Sequence, residues 1–124
     1  MADSKEMRES VEKIMNYIDT HQVERLSTIF SGDVKYHLLG SPVMAGIDAV
    51  KDYYARSRKI RDGKHEIQDF TAANDRSATR GVFRGVLKTG EKVEFGFCDF
   101  HVFERGKVKE VHVYTDQGTI GPSK

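Results

Sequence analysis

Apolar and polar positions alternate with one period in the first half of the chain and another in the second. Met7, Val11, Ile14, Met15 and Ile18 recur at three- and four-residue intervals. They line one stripe of a helix, with Lys5, Glu9, Glu12, Lys13 and Asn16 opposite. Asp3 or Ser4 can cap it, and Asp3 with Glu6 has capping-box spacing. The pattern breaks at Asp19-Thr20-His21, and a short second helix is predicted over 23–30, burying Val23, Leu26, Ile29 and Phe30 before Ser31-Gly32 ends it. From Asp33 a strand begins, with Val34, Tyr36 and Leu38 on one face and Lys35, His37 and Leu39 on the other; Gly40-Ser41-Pro42 closes it. A third helix follows from Ile47 to about Ser57, burying Ile47, Val50 and Tyr54.

From Lys64 onward the period falls to two. Strands are predicted over 65–70, 77–87, 93–103 and 107–116, with turns at Asn74-Asp75, Thr89-Gly90 and Glu104-Arg105-Gly106. Gly106 is free to take positive φ, and Gly81 and Gly85 mark bends or bulges. Helices segregated before a meander define an α+β fold: a curved antiparallel sheet on three N-terminal helices, forming a conical cavity. Small-molecule sites favour such concave, mostly apolar places. No repeat or linker interrupts residues 1–124, which read as one domain with GTIGPSK as a loose tail.

The last hairpin carries the plausible chemistry: Asp99, His101, His112, Tyr114 and Asp116. A three-residue hairpin loop would pair Asp99 with Val113 and His101 with Val111. Phe95, Phe97, Asp99, His101, Val111, Val113 and Thr115 then share the pocket face. An aspartate among Phe and Val side chains is desolvated, and its pKa rises toward a neutral donor or a tuned base. His101 stands on the same face, placed to share a proton or orient a substrate oxygen. His112, Tyr114 and Asp116 fall on the other face, so Asp116 reaches the pocket only if the strand ends or bulges near Thr115. Cys98 also falls there and reads as buried and inert.

Composition narrows the function classes. The 20 basic and 19 acidic residues leave no basic excess for nucleic acid. The densest basic stretch, around Arg56, Arg58, Lys59 and Arg61, reads as a solvated helix end. One cysteine excludes an internal disulfide and fits a reducing compartment. No Cys/His spacing resembles a zinc site, so neither metal nor cofactor is expected. His101 and His112 could meet across the hairpin, read as an ordinary pair. The polar start MADSKEMRES is unlike a signal peptide, and no apolar run approaches membrane-spanning length. The expectation is a soluble cytoplasmic domain with no membrane or nucleic-acid partner.

The element order, together with IFSGDVKYHLLGSPVMAGIDAVKDYY and CDFHVFERGKVKEVHVYTD, resembles the nuclear transport factor 2-like superfold. That resemblance implies a cystatin-like α+β barrel with a cone-shaped pocket and a homodimer packed through the sheet. Ketosteroid isomerases of this fold use a helix-1 tyrosine, a basic aspartate and a protonated hairpin aspartic acid. Asp99 falls on the acid, but Leu38 stands at the base position and Ile14 near the tyrosine, with Tyr17 one turn on. Epoxide hydrolases of the fold need two aspartates bridged by arginine; Arg80 could serve, but Val82 and Val113 stand where the aspartates would fall. The SnoaL-like polyketide cyclases are most similar, and their general base falls on Asp116 in HVYTD, although this chain lacks the tryptophan many relatives place before it.

The resulting expectation is a cofactor-free isomerase or aldol cyclase, moving a proton next to a carbonyl. Asp99, Asp116 and His101 are the catalytic candidates. Tyr17, Tyr36, His37, Leu38, Tyr54, Phe95, Phe97, Val113 and Thr115 are the candidates to line the pocket for an apolar polycyclic, polyketide or terpenoid-like ligand. The alternative is a non-catalytic ligand-binding or dimerisation module of the same fold.

Overall fold

The computed structural model describes residues 2–117, so the GTIGPSK tail lies outside the described residues. Helix α1 spans Ser4–Asp19 and buries the expected stripe, Met7, Val11, Ile14, Met15 and Ile18. Its capping box is complete: Glu6 N–H donates to Asp3 Oδ1 at 2.8 Å, and Asp3 N–H donates to Glu6 Oε1 at 3.2 Å.

The second helical segment is shorter than expected. It is a 3-10 turn over Val23–Thr28, with Leu26 buried. Thr28-Ile29-Phe30 favours extended backbone, and Phe30 begins strand β1, Phe30–Leu38, rather than ending a helix. Val34, Tyr36 and Leu38 are buried on one face of β1, as the alternation predicts. The short β2, Met44–Ala45, pairs antiparallel with β1. Helix α2 covers only Ile47–Asp52 and continues as a π-type turn, Tyr53–Ser57. Tyr53, three residues after Val50, is buried, and Tyr54 packs half-buried against the same core.

Strands β3 (Ile60–Ala73), β4 (Arg76–Leu87), β5 (Lys92–Glu104) and β6 (Lys107–Thr115) complete a six-stranded sheet ordered β2-β1-β6-β5-β4-β3. Among the described residues its edge strands β2 and β3 do not pair with each other, so the curved sheet does not close into a barrel. One pairing differs from a pure meander: β1 lies parallel to β6. The edge strand β3 starts at Ile60 although Arg61, Asp62, Gly63 and Lys64 are weak strand formers. Continuous pairing with β4 holds them there, and their charges protect an open edge.

Two turns have the geometry of two-residue hairpins, with positive φ at both central residues. Asn74 and Asp75 take 53° and 59°, and Arg105 and Gly106 take 54° and 80°. The last loop is thus one residue shorter than expected. A bulge between Val102 and Phe103 restores the register, so Asp99 still pairs with Val113 and His101 with Val111. Gly81 sits beside the bulge that follows Ile67 on β3. A Cβ there would overlap the Glu66 carbonyl oxygen and lie 2.8 Å from Phe97 Cζ.

Candidate functional site

The concave face of the sheet, covered by α1 and the Tyr53–Ser57 turn, holds a small enclosed cavity of about 30 Å³. Of the residues expected to line it, Tyr36, Leu38, Tyr54, Phe95, Phe97 and Val113 do so, and Asp99 reaches it from β5. The aromatic and branched side chains of β1, β5 and β6 that line it share one face because the pleat alternates.

Asp99 is only half-buried as a residue, but its Oδ1 is shut off from solvent and has no hydrogen-bond partner among the described residues. That burial pushes its pKa up to about 7. His101 is 2 % exposed, its Nδ1 equally unpaired, and burial lowers its pKa to about 4, leaving it neutral at pH 7. Thr79 and Ser77 lie directly across β4 from Asp99 and His101, and their buried hydroxyls are also unpaired among the described residues. Buried polar groups are normally bonded. Of this run of four, Asp99 alone lines the cavity, where its Oδ1 can meet a ligand's polar atom; Ser77, Thr79 and His101 are packed behind the wall.

Three tyrosines and an arginine add to the polar wall. Tyr36 and Tyr54 share a hydrogen bond between their hydroxyls. Burial raises both pKa values well above the usual tyrosine value, with the nearby Asp99 adding to the effect, so both phenols stay protonated. Burial likewise pushes Tyr53 up to about 12. Arg58 is 8 % exposed and stacks its guanidinium 5.2 Å from the Tyr54 ring centroid and 5.3 Å from that of Phe83. No carboxylate among the described residues pairs with it.

His65 enters the cavity from β3. Its Nδ1 lies 2.7 Å from Asp19 Oδ1, and its backbone N–H donates to Asp19 Oδ2 at 2.8 Å. An ionised carboxylate only accepts, so Nδ1 carries a proton and donates it to Asp19 Oδ1. Phe83 and Phe97 hold the ring edge-on at 4.9 and 5.3 Å. The result is a carboxylate-oriented imidazole in the same cavity as Asp99 and Arg58. Sequence reasoning missed Asp19, Tyr53, Arg58 and His65. Asp19 and His65 are 46 residues apart, on elements that meet only in the fold, and Arg58 was absorbed into a basic cluster read as solvated.

Other candidates lie elsewhere. Asp116 is exposed on the convex face, where its Oδ1 accepts from Gly96 N–H at 2.9 Å. The strand does end at Thr115, but this bond holds Asp116 outward. Thr115 and Asp116 line a shallow depression of about 540 Å³ with Gln68, Arg80, Cys98 and Tyr114. Arg80 is engaged there by Asp69 at 2.9 Å, away from the cavity, which removes the epoxide-hydrolase arrangement. Cys98 is exposed rather than buried. Tyr17 packs beneath Arg25, whose guanidinium is 5.9 Å from its ring centroid. His37 faces outward, stacked on His112. His112 therefore meets His37 rather than His101, which lies on the opposite face.

A curved, unclosed sheet with helices at the N-terminal end defines the α+β cone class of the nuclear transport factor 2-like fold. The SnoaL-like domain model matches residues 11–111, and the chain belongs to that family. No curated protein matches. Among solved structures, a protein from Jannaschia sp. CCS1 described as a SnoaL-like polyketide cyclase superposes with a TM-score of 0.81 at 13% identity, covering 92% of this chain and 88% of that one. An epoxide hydrolase from M. tuberculosis of the LEH-like type gives 0.81 at 15%, covering 96% and 89%. A Catenulispora acidiphila protein with a ketosteroid isomerase-like fold, in complex with trimethylamine, gives 0.80 at 16%, covering 90% and 88%. These likenesses concern the fold.

Proposed function

We propose that the chain is a cofactor-free enzyme that moves a proton next to a carbonyl, acting as an isomerase or an aldol cyclase. The observation that carries this reading is Asp99 on the cavity wall, its Oδ1 buried without a partner among the described residues and its pKa brought by burial to about 7. A base with a pKa near the working pH combines a useful ionised fraction with real basicity. Asp99 takes a proton from the carbon next to the carbonyl, and the electron pair moves onto the carbonyl oxygen. Arg58, Tyr54 and His65 line the same cavity, and the positive or donor groups among them are suited to the enolate charge. Protonated Asp99 then returns its proton to another carbon, giving an isomer. In the cyclase variant the enolate carbon attacks a second carbonyl of the same molecule, and the proton ends on the new alkoxide.

A cavity of about 30 Å³ holds on the order of one or two waters. Only the reacting end of a polycyclic, polyketide or terpenoid-like substrate fits as the wall stands, and the rest requires the Tyr53–Ser57 turn to shift. π-type turns are frequent at functional sites. The same small volume favours the second reading, a non-catalytic module. Deuterium exchange into a panel of cyclic and linear ketones, followed by NMR, separates the two. The enzyme reading expects exchange by the native protein and none by Asp99→Asn. Equal exchange by both proteins contradicts it.

The reading includes a homodimer packed through the convex face, where Tyr114 is 54 % exposed beside the half-buried Phe100. Light scattering should give twice the chain mass, and Tyr114→Glu should return it to the monomer. The free thiol of Cys98 accords with a cytoplasmic location. No helix among the described residues is long and apolar enough to cross a membrane.

A further inference from the structure

On the convex face, away from the cavity, three ligand-type side chains converge. The parallel register of β1 and β6 sets His37 directly beside His112. Glu110, two positions earlier on β6, shares the face of His112. The imidazole rings stack with centroids 4.2 Å apart and planes inclined by 3°. His112 Nε2 lies 3.1 Å from Glu110 Oε1. One ligand atom from each of the three residues falls within 4.8 Å of the others, and all three residues are half-buried. Among the described residues no hydrogen bond engages the ring nitrogens of His37.

We propose that His37, Glu110 and His112 form a binding site for a first-row transition-metal dication of the zinc type. Two imidazoles and one carboxylate are a donor set that zinc uses with its fourth position open. Magnesium and calcium prefer six or more oxygen ligands and find only one side chain of that kind here. Zinc bonds of ~2.0–2.1 Å imply ligand atoms ~3.4 Å apart, so the cluster closes by roughly an ångström as the two rings turn out of their stack. The strands themselves need not move, because the pairing already fixes the three Cα positions. Phe100, opposite His112 on β5 with its ring centroid 6.3 Å away, walls one side. Lys35, opposite Glu110 in the ladder, is the competing cation. Water fills the fourth position, or a group from a second copy packed on this face.

The test uses tag-free protein, melted and titrated calorimetrically with zinc chloride, with magnesium chloride as the control. Zinc should raise the Tm and bind at one ion per chain, or one per two chains if a second copy completes the shell. Magnesium should do neither. His37→Gln and His112→Gln should keep a cooperative metal-free melt and lose the zinc shift. The affinity should fall by more than the ~10- to 100-fold that loss of a merely supporting partner costs. Lys35→Ala should bind zinc more tightly. A native protein whose Tm zinc leaves unchanged overturns the proposal. So does a zinc shift that survives in the two histidine variants, or one that magnesium matches.

Discussion

The two faces of the β5–β6 hairpin use the same residue type in opposite ways. Asp99 on the concave face has its Oδ1 buried and unpaired among the described residues, and its pKa rises to about 7. Asp116 on the convex face is exposed and accepts a backbone N–H from Gly96. Water and a backbone donor surround the Asp116 carboxylate, whereas Phe95, Phe97 and Val113 wall the cavity that Asp99 faces. Environment decides which aspartate can do chemistry at neutral pH.

The comparison breaks most visibly in turnover. Asp99→Asn should lower kcat by ~10²–10⁴ once a substrate is found, the range a general base supplies. Asp116→Asn should leave it unchanged. Equal losses in both variants would remove the distinction between the faces.

Stability against pH sharpens it. Asp99 has a raised folded pKa of about 7, so the folded state holds a proton that the unfolded state loses from pH ~4 upward. Its contribution therefore falls as pH rises from ~4 to 7. His101 has a folded pKa lowered to about 4, so its contribution is lost as pH falls from ~6.5 to 4. The two slopes, each ~1.4 kcal/mol per pH unit, oppose and nearly cancel between pH ~4 and 6.5. Denaturant titrations of the native protein should be flat there with respect to these two groups. In Asp99→Asn the His101 slope is uncovered, and stability should climb by ~3 kcal/mol across that window. A variant with the native profile would contradict the burial assigned to Asp99.

Two smaller effects bear on the frame that holds the faces apart. Gly81→Ala pushes a methyl into the Glu66 carbonyl and toward Phe97, and should cost ~2 kcal/mol or more in chemical denaturation, as overpacking against backbone does. Asp116→Ala gives up one exposed backbone bond from Gly96 N–H and should cost less than ~1 kcal/mol.

The sequence alone disclosed much of this frame. Period-two alternation placed Asp99 and His101 on the apolar face, and the 3.6-residue period predicted all five buried residues of α1. What it concealed arose wherever distant elements meet. Nothing local in Asp19 or His65 announces their contact, and nothing links His37 to His112 until β1 lies parallel to β6. Arg58 looked like one charge in a solvated run, because proximity in sequence says nothing of a cavity wall. Asp116 failed for a different reason: strand termination does free the residue, but a backbone N–H on Gly96 captures it.

The central claim rests on one carboxyl, and it can be observed without any substrate. With aspartate carboxyl carbons labelled by carbon-13, NMR spectra across pH 3 to 9 resolve each side chain's titration, and Asp99→Asn assigns the signal by its loss. Asp99 should titrate with a midpoint of about 7. A midpoint in the ordinary aspartate range, at ~4, would contradict the account of Asp99 as the buried base.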